Sequence, residues 1–294
     1  MRRQIASDTD VLHFVGNGFE GMGFAAAHRA RAVGAVFTVW PAIHPGTWGD
    51  GPLDGALYRK ADAVFCLSDN ERRVVMSLGV ASDHAVFSPL GPLHQRPGDG
   101  ERFRRLHGLQ GRPIVLFLAR RDPHKGLDAL IGAVRLTRAA VPGAVLLVGG
   151  PPGQAPRGMP NEPWIVDLGL ADDDVTADAL DAANLVSVPS SAESLGIVVL
   201  DAWAHGKPVV VGPSPASREL VAAGQGGFAV EQEPSAIAAA LIELLGDEDT
   251  AKRMGAAGRQ YQRLSYTWPA TLDVHVSTWL QAIAVRRDSG QPAR

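Results

Sequence analysis

The sequence predicts an α/β protein built from two doubly wound, Rossmann-like domains. Short apolar or β-branched runs alternate with helical patterns along the chain, which is typical of βαβ units with buried parallel strands. The length of 294 residues is sufficient for two domains, each with a core of its own. A polar, Gly- and Pro-rich break at 94–105 divides the alternation into two series and marks the boundary between the domains.

Each predicted strand is a run of apolar or β-branched residues followed by a turn or a helical pattern. In chain order the strands are VLHFV (11–15), AVFTVW (35–40), AVFCLS (63–68), AVFSP (85–89), PIVLFLA (113–119), AVLLVGG (144–150), LVSVP (185–189) and PVVVG (208–212). Helical patterns occupy 22–33, 70–78, 126–139, 174–183, 194–205 and 234–246, and the chain ends in a helix from roughly 267 to 285. We expect the ligand at the carboxyl ends of the strands, in a cleft between the domains.

The amino-acid composition argues against several classes of function. The net charge of −3 gives no electrostatic reason to expect nucleic acid. The single cysteine, Cys66, excludes an intramolecular disulfide and is typical of a buried thiol in a reducing compartment. No apolar run approaches the roughly 18 to 20 residues needed to cross a bilayer, and residues 1–10 lack the apolar core of a signal peptide. A cytoplasmic protein is predicted.

The segment VLHFVGNGFEGMGF (11–24) contains G-x-G-x-x-G directly after a predicted strand. This fingerprint is typical of dinucleotide binding, which also needs an acidic residue at the end of the next strand. That strand ends at Trp40, and no acid follows before Asp50. We therefore interpret the segment as a strand-to-helix turn in which Gly16 and Gly18 line the ligand cleft.

The loop after PIVLFLA carries Arg120 and Lys125 in an R-x4-K-G pattern that leads into a helix. Two cations on one loop at the carboxyl end of a strand suit a diphosphate, because Arg offers a planar fork and Lys a compact charge. A solvated basic loop is the alternative interpretation.

The segment 189–212 places Glu193 at the start of a predicted helix, with Asp201 after seven intervening residues. On a helix this spacing is about 12 Å of rise and roughly two turns, so both acids lie broadly on one side. Two such carboxylates could accept hydrogen bonds from the sugar and ribose hydroxyls of a nucleotide sugar. Further donors are the backbone amides at the helix start, those of Ser194, Leu195 and Gly196. Two ordinary helix acids are the alternative.

Other patterns lack essential residues. The acids Asp172, Asp173 and Asp174 are predicted to begin a helix, where they favour the dipole, rather than to hold a metal. HGKP (205–208) lacks the Ser or Thr of a P-loop, and GPSPA (212–216) lacks the second Gly of a nucleophile elbow. The histidines show no HExxH spacing. We predict neither a metal site nor a cofactor.

Together these segments resemble the retaining glycosyltransferases of family 4, which have the GT-B fold. The resemblance spans roughly residues 10 to 285. In the second domain it rests on R-x4-K-G, LLVGGPP, E-x7-acid, GKPVV, SRELV with Glu219, GFAVE (227–231) and YTW (266–268). In the first domain it rests on DVLHFVG, FTVWPAIHPG and ADAVFCLSDNERR. It implies a metal-independent transfer of sugar from a nucleoside-diphosphate sugar with retention of anomeric configuration.

The resemblance also implies residue roles. Arg120 and Lys125 bind the donor diphosphate, Glu193 contacts the donor sugar and Asp201 the ribose. His44 of PAIHPG lines the reaction centre, so the predicted catalytic residues are His44 and Glu193. The departing phosphate oxygen takes the acceptor proton on the same face of the sugar.

Four departures from the family pattern affect these expectations. Asp201 replaces Glu, which withdraws the carboxylate by about 1.5 Å. Leu195 stands where Phe is commoner, and PSPAS replaces the paired glycines before Glu219. Only about ten residues precede VLHFV, where the family has three earlier strands, so we expect a truncated first domain. Such a chain is expected to bind a nucleoside diphosphate, to turn over poorly, and to self-associate through residues 11–15 or pack unusually on the last helix.

The predicted domains are a partial acceptor-side domain (1–98), a nucleotide-sugar-binding domain (99–266) and a C-terminal helix with a tail (267–294) that returns toward the first domain. The predicted partners are a nucleotide-sugar donor and a sugar, lipid or small-molecule acceptor; peripheral membrane contact and self-association stay open. One alternative function is a non-catalytic, nucleotide-sugar-binding remnant of a glycosyltransferase. A phosphorylase or epimerase with the same two-domain fold is a weaker one.

Overall fold

A computed structural model describes residues 6, 8–16, 18–153 and 159–288, which form two compact units. The first unit holds the described residues up to Leu90 and those from Thr267 onward, and the second is Gly91–Tyr266. Each unit contains a parallel sheet, so the predicted α/β class is confirmed. The predicted tail over 289–294 lies outside the described residues.

The first unit is built on a four-stranded parallel sheet with the order β1-β2-β3-β4. Apolar side chains of β2 and β3 are buried against α1 and α2. β1 pairs with β2, and self-association through its other edge stays a prediction. The elements are β1 (Val11–Val15), α1 (Glu20–Val33), β2 (Val36–Trp40), α2 (Pro52–Tyr58), β3 (Ala63–Cys66), α3 (Asp69–Ser77) and β4 (Ala85–Phe87).

The second unit is built on a six-stranded parallel sheet with the order β10-β9-β8-β5-β6-β7. The strand order reverses at β5, which places a topological switch point at its carboxyl end. The elements up to β8 are α4 (Gly100–Leu106), β5 (Ile114–Leu118), α5 (Leu127–Ala140), β6 (Val145–Gly149), β7 (Ile165–Gly169), α6 (Asp173–Ala182) and β8 (Leu185–Val188). They are followed by α7 (Ile197–Ala204), β9 (Val209–Val211), α8 (Pro215–Gly224), β10 (Gly227–Ala229), α9 (Pro234–Gly246) and α10 (Glu248–Ser265).

The last helix, α11 (Trp268–Asp288), belongs to the first unit. Its Thr271 hydroxyl donates to the Pro89 carbonyl at 2.6 Å. Farther along, the Trp279 indole donates to the Thr38 hydroxyl of β2 at 3.1 Å. These bonds attach the helix to the strands of the first sheet.

Some elements differ from the sequence prediction. The polar break at 94–105 contains most of helix α4, which was not predicted; the Asp99 carboxylate caps this helix by accepting from the Arg102 amide at 2.8 Å. The strands β7 and β10 were not predicted, because both are sheet edges that are only half-buried and lack a long apolar run. The prediction that the three acids from Asp172 begin a helix is confirmed, with Asp172 as the cap of α6.

Candidate functional site

An ion pair lies at the carboxyl end of the second sheet. The Lys125 ammonium is 2.7 Å from a Glu193 carboxylate oxygen, and the two side chains are only 11% and 9% exposed. Lys125 ends a short 3-10 turn after β5, and Glu193 follows β8. Because β5 and β8 are neighbouring strands, residues far apart in sequence meet at this edge.

The two loops that carry this pair are interlocked. The His124 carbonyl accepts from the Ser191 amide at 2.8 Å and from the Gln232 side-chain amide at 3.2 Å. Gly126 has a φ of +77°, and a Cβ there would lie 2.6 Å from the Pro189 carbonyl oxygen. The glycine of R-x4-K-G is therefore required both by its backbone conformation and by the close approach of the second loop.

The two arginines that precede this turn point to different partners. Arg120 pairs with Asp122 on its own loop at 2.7 Å, and its side chain is 46% exposed. Arg121 forms a two-point ion pair with Asp167 of β7, with one contact at 2.8 Å. The guanidinium holds the pKa of the Asp167 carboxyl below its ordinary value. Arg120 is thus the half-exposed cation of the loop, while Arg121 braces the loop against the edge strand β7.

The glycine turn after β6 packs on the same loop. Gly150 has a φ of +125°, and a Cβ there would lie 2.1 Å from the Ala119 carbonyl oxygen. Likewise, a Cβ at Gly153 would lie 2.5 Å from the Arg121 carbonyl oxygen. The Gly-Gly-Pro-Pro sequence therefore fits a close contact between backbones at the carboxyl ends of β5 and β6.

The structure corrects the predicted placement of Glu193 and keeps that of Asp201. Glu193 is not on a helix, because α7 begins at Ile197 after Gly196, which has a φ of +90°. Asp201 does lie on α7, and one of its carboxylate oxygens accepts from the Leu93 and His94 amides at 2.7 and 2.9 Å. Burial raises the pKa of Asp201, while these amides oppose the shift. The contact between Asp201 and the ribose stays a prediction. It would be made by the second carboxylate oxygen of Asp201.

The predicted amide donors surround the start of α7. Leu195 is almost fully buried. Ser194 is also mostly buried. Their predicted role toward a phosphate or sugar oxygen depends on backbone groups and stays a prediction.

Two buried hydroxyls in this region were missed by the sequence analysis. Ser190 and Ser214 follow β8 and β9, both are 0% exposed, and neither side-chain oxygen bonds to a described residue. The Ser214 amide donates to the Ser190 carbonyl at 3.2 Å, so the two loops are adjacent. Buried hydroxyls normally have a partner, which makes these two candidate contacts for a ligand or water. The signal available in the sequence was a serine two residues after β8 and another three residues after β9.

In the first unit, His44 lies in the loop after β2. Its ring packs on Trp48 with centroids 4.3 Å apart, and its Nδ1 is 3.2 Å from the Ala42 carbonyl oxygen. A second residue, Glu71, fixes this loop, because its carboxylate accepts from the Ile43 amide at 2.5 Å. The other oxygen accepts from the Leu67 amide at 2.6 Å. Glu71 thus joins the loops after β2 and β3, which motif matching did not reveal.

The pKa of Glu71 is unusually high for a carboxylic acid. It is 0% exposed, and burial raises its pKa to about 7 despite the two amide hydrogen bonds. A carboxyl in this environment is partly protonated at neutral pH.

Gly16 and Gly18 form the turn between β1 and α1. Their φ angles are +103° and +77°, and a Cβ at either position would meet nothing within 4 Å. The Gly16 amide donates to the Trp40 carbonyl at 2.8 Å, and the Gly18 amide to Glu20 at 2.6 Å. Glycine is therefore required by backbone conformation rather than by packing, and the proposed contact with a ligand stays a prediction.

No group of three or more His, Cys, Asp or Glu side chains among the described residues is arranged to hold a metal ion. Within the same part of the chain, no helix combines the length and the apolar character that crossing a bilayer requires.

Comparisons with known proteins show the family of this chain. Residues 99–261 match the family described as Glycosyl transferases group 1. The chain is 33% identical over 292 residues to a GDP-mannose-dependent alpha-(1-6)-phosphatidylinositol monomannoside mannosyltransferase of Mycobacterium tuberculosis, covering 91% of this chain and 75% of that protein.

It is also 31% identical to a D-inositol 3-phosphate glycosyltransferase of Corynebacterium efficiens, covering 77% and 55% of the two chains. Its structure is similar to that of Anabaena Alr3699/HepE in complex with UDP and glucose, with a TM-score of 0.75 and 17% identity over 90% and 77% of the chains. The structural similarity shows a shared fold.

Proposed function

This chain belongs to the Glycosyl transferases group 1 family and has the GT-B fold, and from that premise we propose the reaction that its site performs. It transfers a sugar from a nucleoside-diphosphate sugar to an acceptor hydroxyl, with retention of anomeric configuration and without a metal ion. The observation that carries the proposal is the buried Lys125–Glu193 pair at the switch point of the second sheet.

The pair brings together the two chemical groups that a sugar diphosphate requires. An ammonium stabilises phosphate oxygens, and a carboxylate accepts hydrogen bonds from sugar hydroxyls. In the resting protein each group compensates the other, so neither charge is buried alone. On donor binding, Lys125 turns to the diphosphate, where the half-exposed Arg120 adds a second cation, and Glu193 holds the sugar.

Stabilisation of the leaving group is the main catalytic contribution that we propose. The bond between the anomeric carbon and the phosphate oxygen breaks, and negative charge develops on the departing diphosphate. Arg120, Lys125 and the amides at the start of α7 stabilise that charge. The acceptor oxygen bonds to the anomeric carbon on the same face, and its proton passes to the departing phosphate oxygen. His44 keeps its proposed role of positioning the sugar.

We further propose a GDP-sugar as the donor. The relative that matches 91% of this chain is named as GDP-mannose-dependent. The names of the two relatives also contain an inositol phosphate or an inositol lipid, which supports an acceptor of the same class.

A thermal-shift panel of GDP, UDP and ADP, each with and without its sugar, tests the donor. GDP is expected to raise the melting temperature most, and GDP-mannose is then assayed for transfer to D-inositol phosphates and phosphatidylinositol. The anomeric configuration of the product, determined by NMR, tests retention. Stabilisation by UDP alone would overturn the choice of base.

A non-catalytic nucleotide-sugar-binding protein is the second candidate. It would bind the same nucleotide but show neither transfer nor donor hydrolysis. Loss of binding in EDTA, with recovery on addition of Mn²⁺ or Mg²⁺, would contradict metal independence.

A further inference from the structure

The first unit contains a basic pocket at the end of its sheet opposite the loop of His44. Its volume is about 520 Å³, within the usual range of small-molecule sites. Phe37 near the start of β2 and Asp62 just before β3 place it at the amino ends of the strands. The loops of His44 and Glu71 follow the carboxyl ends of the same strands. The pocket is lined by Phe24, Ala27, His28, Arg31, Phe37, Arg59, Lys60, Asp62 and Arg286.

The lining is strongly positive although the chain is not. The lining contains four arginine or lysine side chains and one carboxylate, so its formal charge is +3 when His28 is neutral. The formal charge of the whole chain is −3. The negative charge of that carboxylate, Asp62, is already balanced by partners within the protein. It pairs with Arg286 at 2.9 and 2.8 Å and accepts from the Phe37 amide at 2.7 Å.

The remaining cations have no acidic partner in the described part of the chain. Arg31, Arg59 and Lys60 make no ion pair with any described residue. Arg59, which lines the pocket, donates to the Leu78 carbonyl at 2.5 Å. Lys60 lies 6.0 Å from the centre of the Phe24 ring. Cations from α1 and from the turn after α2 therefore converge on one cavity without neutralisation.

We propose that this pocket binds a phosphate group, either of a soluble phosphorylated molecule or of a phospholipid headgroup, at a site distinct from that of the nucleotide sugar. Guanidinium groups match phosphate oxygens in two-point contacts, and the ammonium adds a compact charge. The apolar wall formed by Phe24, Ala27 and Phe37 suits the carbon skeleton next to the phosphate. A carboxylate ligand would use less of this charge, and a cation is excluded by it.

The test uses the full chain and a double variant, Arg31→Gln with Lys60→Gln. Both side chains are exposed, so their loss is expected to leave the fold intact. The matched control, Arg105→Gln with Arg263→Gln, removes the same charge from exposed positions of the second unit. The soluble probe is sn-glycerol 3-phosphate, titrated by calorimetry at fixed ionic strength. The lipid probe is a phosphatidylglycerol vesicle, compared with a phosphatidylcholine vesicle in co-sedimentation.

Saturable binding of either probe that falls about tenfold or more in the double variant, and not in the control, supports the pocket. Binding of glycerol phosphate identifies a soluble ligand, and binding of the anionic vesicle alone identifies a headgroup. An equal loss in both double variants would show a general charge effect and overturn the proposal, as would absence of binding. Nucleoside-diphosphate affinity is expected to be unchanged in the double variant, so failure here is separate from failure of the proposed function.

Discussion

The two units bury ionisable groups in different ways. In the second unit, the side chains of Lys125 and Glu193 form an ion pair that is almost fully buried. In the first unit, Glu71 is buried with backbone amides as partners and no cation among the described residues, and its pKa is raised to about 7. His13 and His275 are also withdrawn from water, and burial lowers the pKa of each to about 4.

The difference shows what each region is prepared to bind. A buried ion pair keeps two formal charges in place, which suits a site that exchanges one partner for a charged ligand. Groups that are buried singly tend to the neutral form and act as hydrogen-bonding supports instead. The second unit therefore carries the charges for a diphosphate, and the first unit uses its buried groups to hold loops and a helix.

The histidine pair illustrates the second strategy. His13 of β1 lies 2.8 Å from the Thr38 hydroxyl, which also accepts from Trp279 of α11. His275 of α11 stacks on Phe65 at 3.8 Å and lies 3.0 Å from the Ser88 hydroxyl. Neutral imidazoles thus link α11 to the first sheet.

The largest effect is expected from Lys125→Ala, which leaves the Glu193 carboxylate buried without its cation. The free energy of unfolding should fall by about 3 to 5 kcal/mol. Nucleoside-diphosphate affinity should fall by about 1.5 to 3 kcal/mol, because one charge-assisted contact is lost. Chemical denaturation and isothermal calorimetry measure the two quantities.

Lys252→Ala is the matched control, since Lys252 pairs with Glu248 on the surface and both side chains are more than two thirds exposed, at 70% and 80%. Its effect on the free energy of unfolding should be far smaller, because water screens an exposed ion pair. Equal effects of the two substitutions would show that the Lys125 pair is an ordinary surface contact.

Glu71→Ala is expected to come next. It removes the acceptor of the Ile43 and Leu67 amides and should cost about 2 to 4 kcal/mol of unfolding free energy. Glu71→Gln keeps a neutral acceptor and should recover part of the loss. An exposed acid on α9, Glu243, is the control, and its replacement by Ala should change stability by less than about 0.5 kcal/mol. If Glu71→Ala behaves like this control, the loop of His44 is held by other contacts.

Gly126→Ala tests the interlocking of the loops in the second unit. The added Cβ meets the Pro189 carbonyl at 2.6 Å in a backbone conformation that disfavours side chains, so a loss of about 1 to 3 kcal/mol is expected. Gly108→Ala has a similar φ of +64° but open space around the new atom. This control measures only the cost of placing an alanine in the left-handed backbone conformation, about 1 kcal/mol. Similar melting temperatures for the two variants would contradict close packing of the loops.

The smallest expected effect is a net loss of folding stability as the pH becomes acid. For the histidines the folded pKa of about 4 lies below the ordinary 6.5, so their contribution is complete above pH 6.5 and is lost as pH falls toward 4. Glu71 acts in the opposite direction, because its raised pKa makes its contribution largest below about 4.5 and lost as pH rises through 7.

The net loss between pH 7 and pH 4.5 should be roughly 1 to 2 kcal/mol, measured by urea denaturation at both values. His275→Gln removes one titrating histidine and should abolish most of this loss. An undiminished loss in that variant would place the acid-sensitive groups elsewhere.

Much of the site in the second unit was predictable from the sequence. Strands buried on both faces leave apolar runs, and turns that need glycine leave glycines, so the positions of Lys125 and Gly126 after β5 followed from local pattern. The alternation of strands and helices likewise determined the α/β class and the parallel sheets. These features depend on neighbours along the chain, which a sequence displays directly.

Tertiary structure decided the rest, because it depends on the order of strands in the sheets. It paired Glu193 with Lys125, and it bonded Asp201 to amides 107 and 108 residues away in the chain. It placed the carboxylate of Glu71, on α3, where it holds the loops after β2 and β3. It also gathered cations from three distant segments into one pocket. Helical and strand periodicity specify which face of an element is buried, but the partner on that face is set by packing of the whole fold.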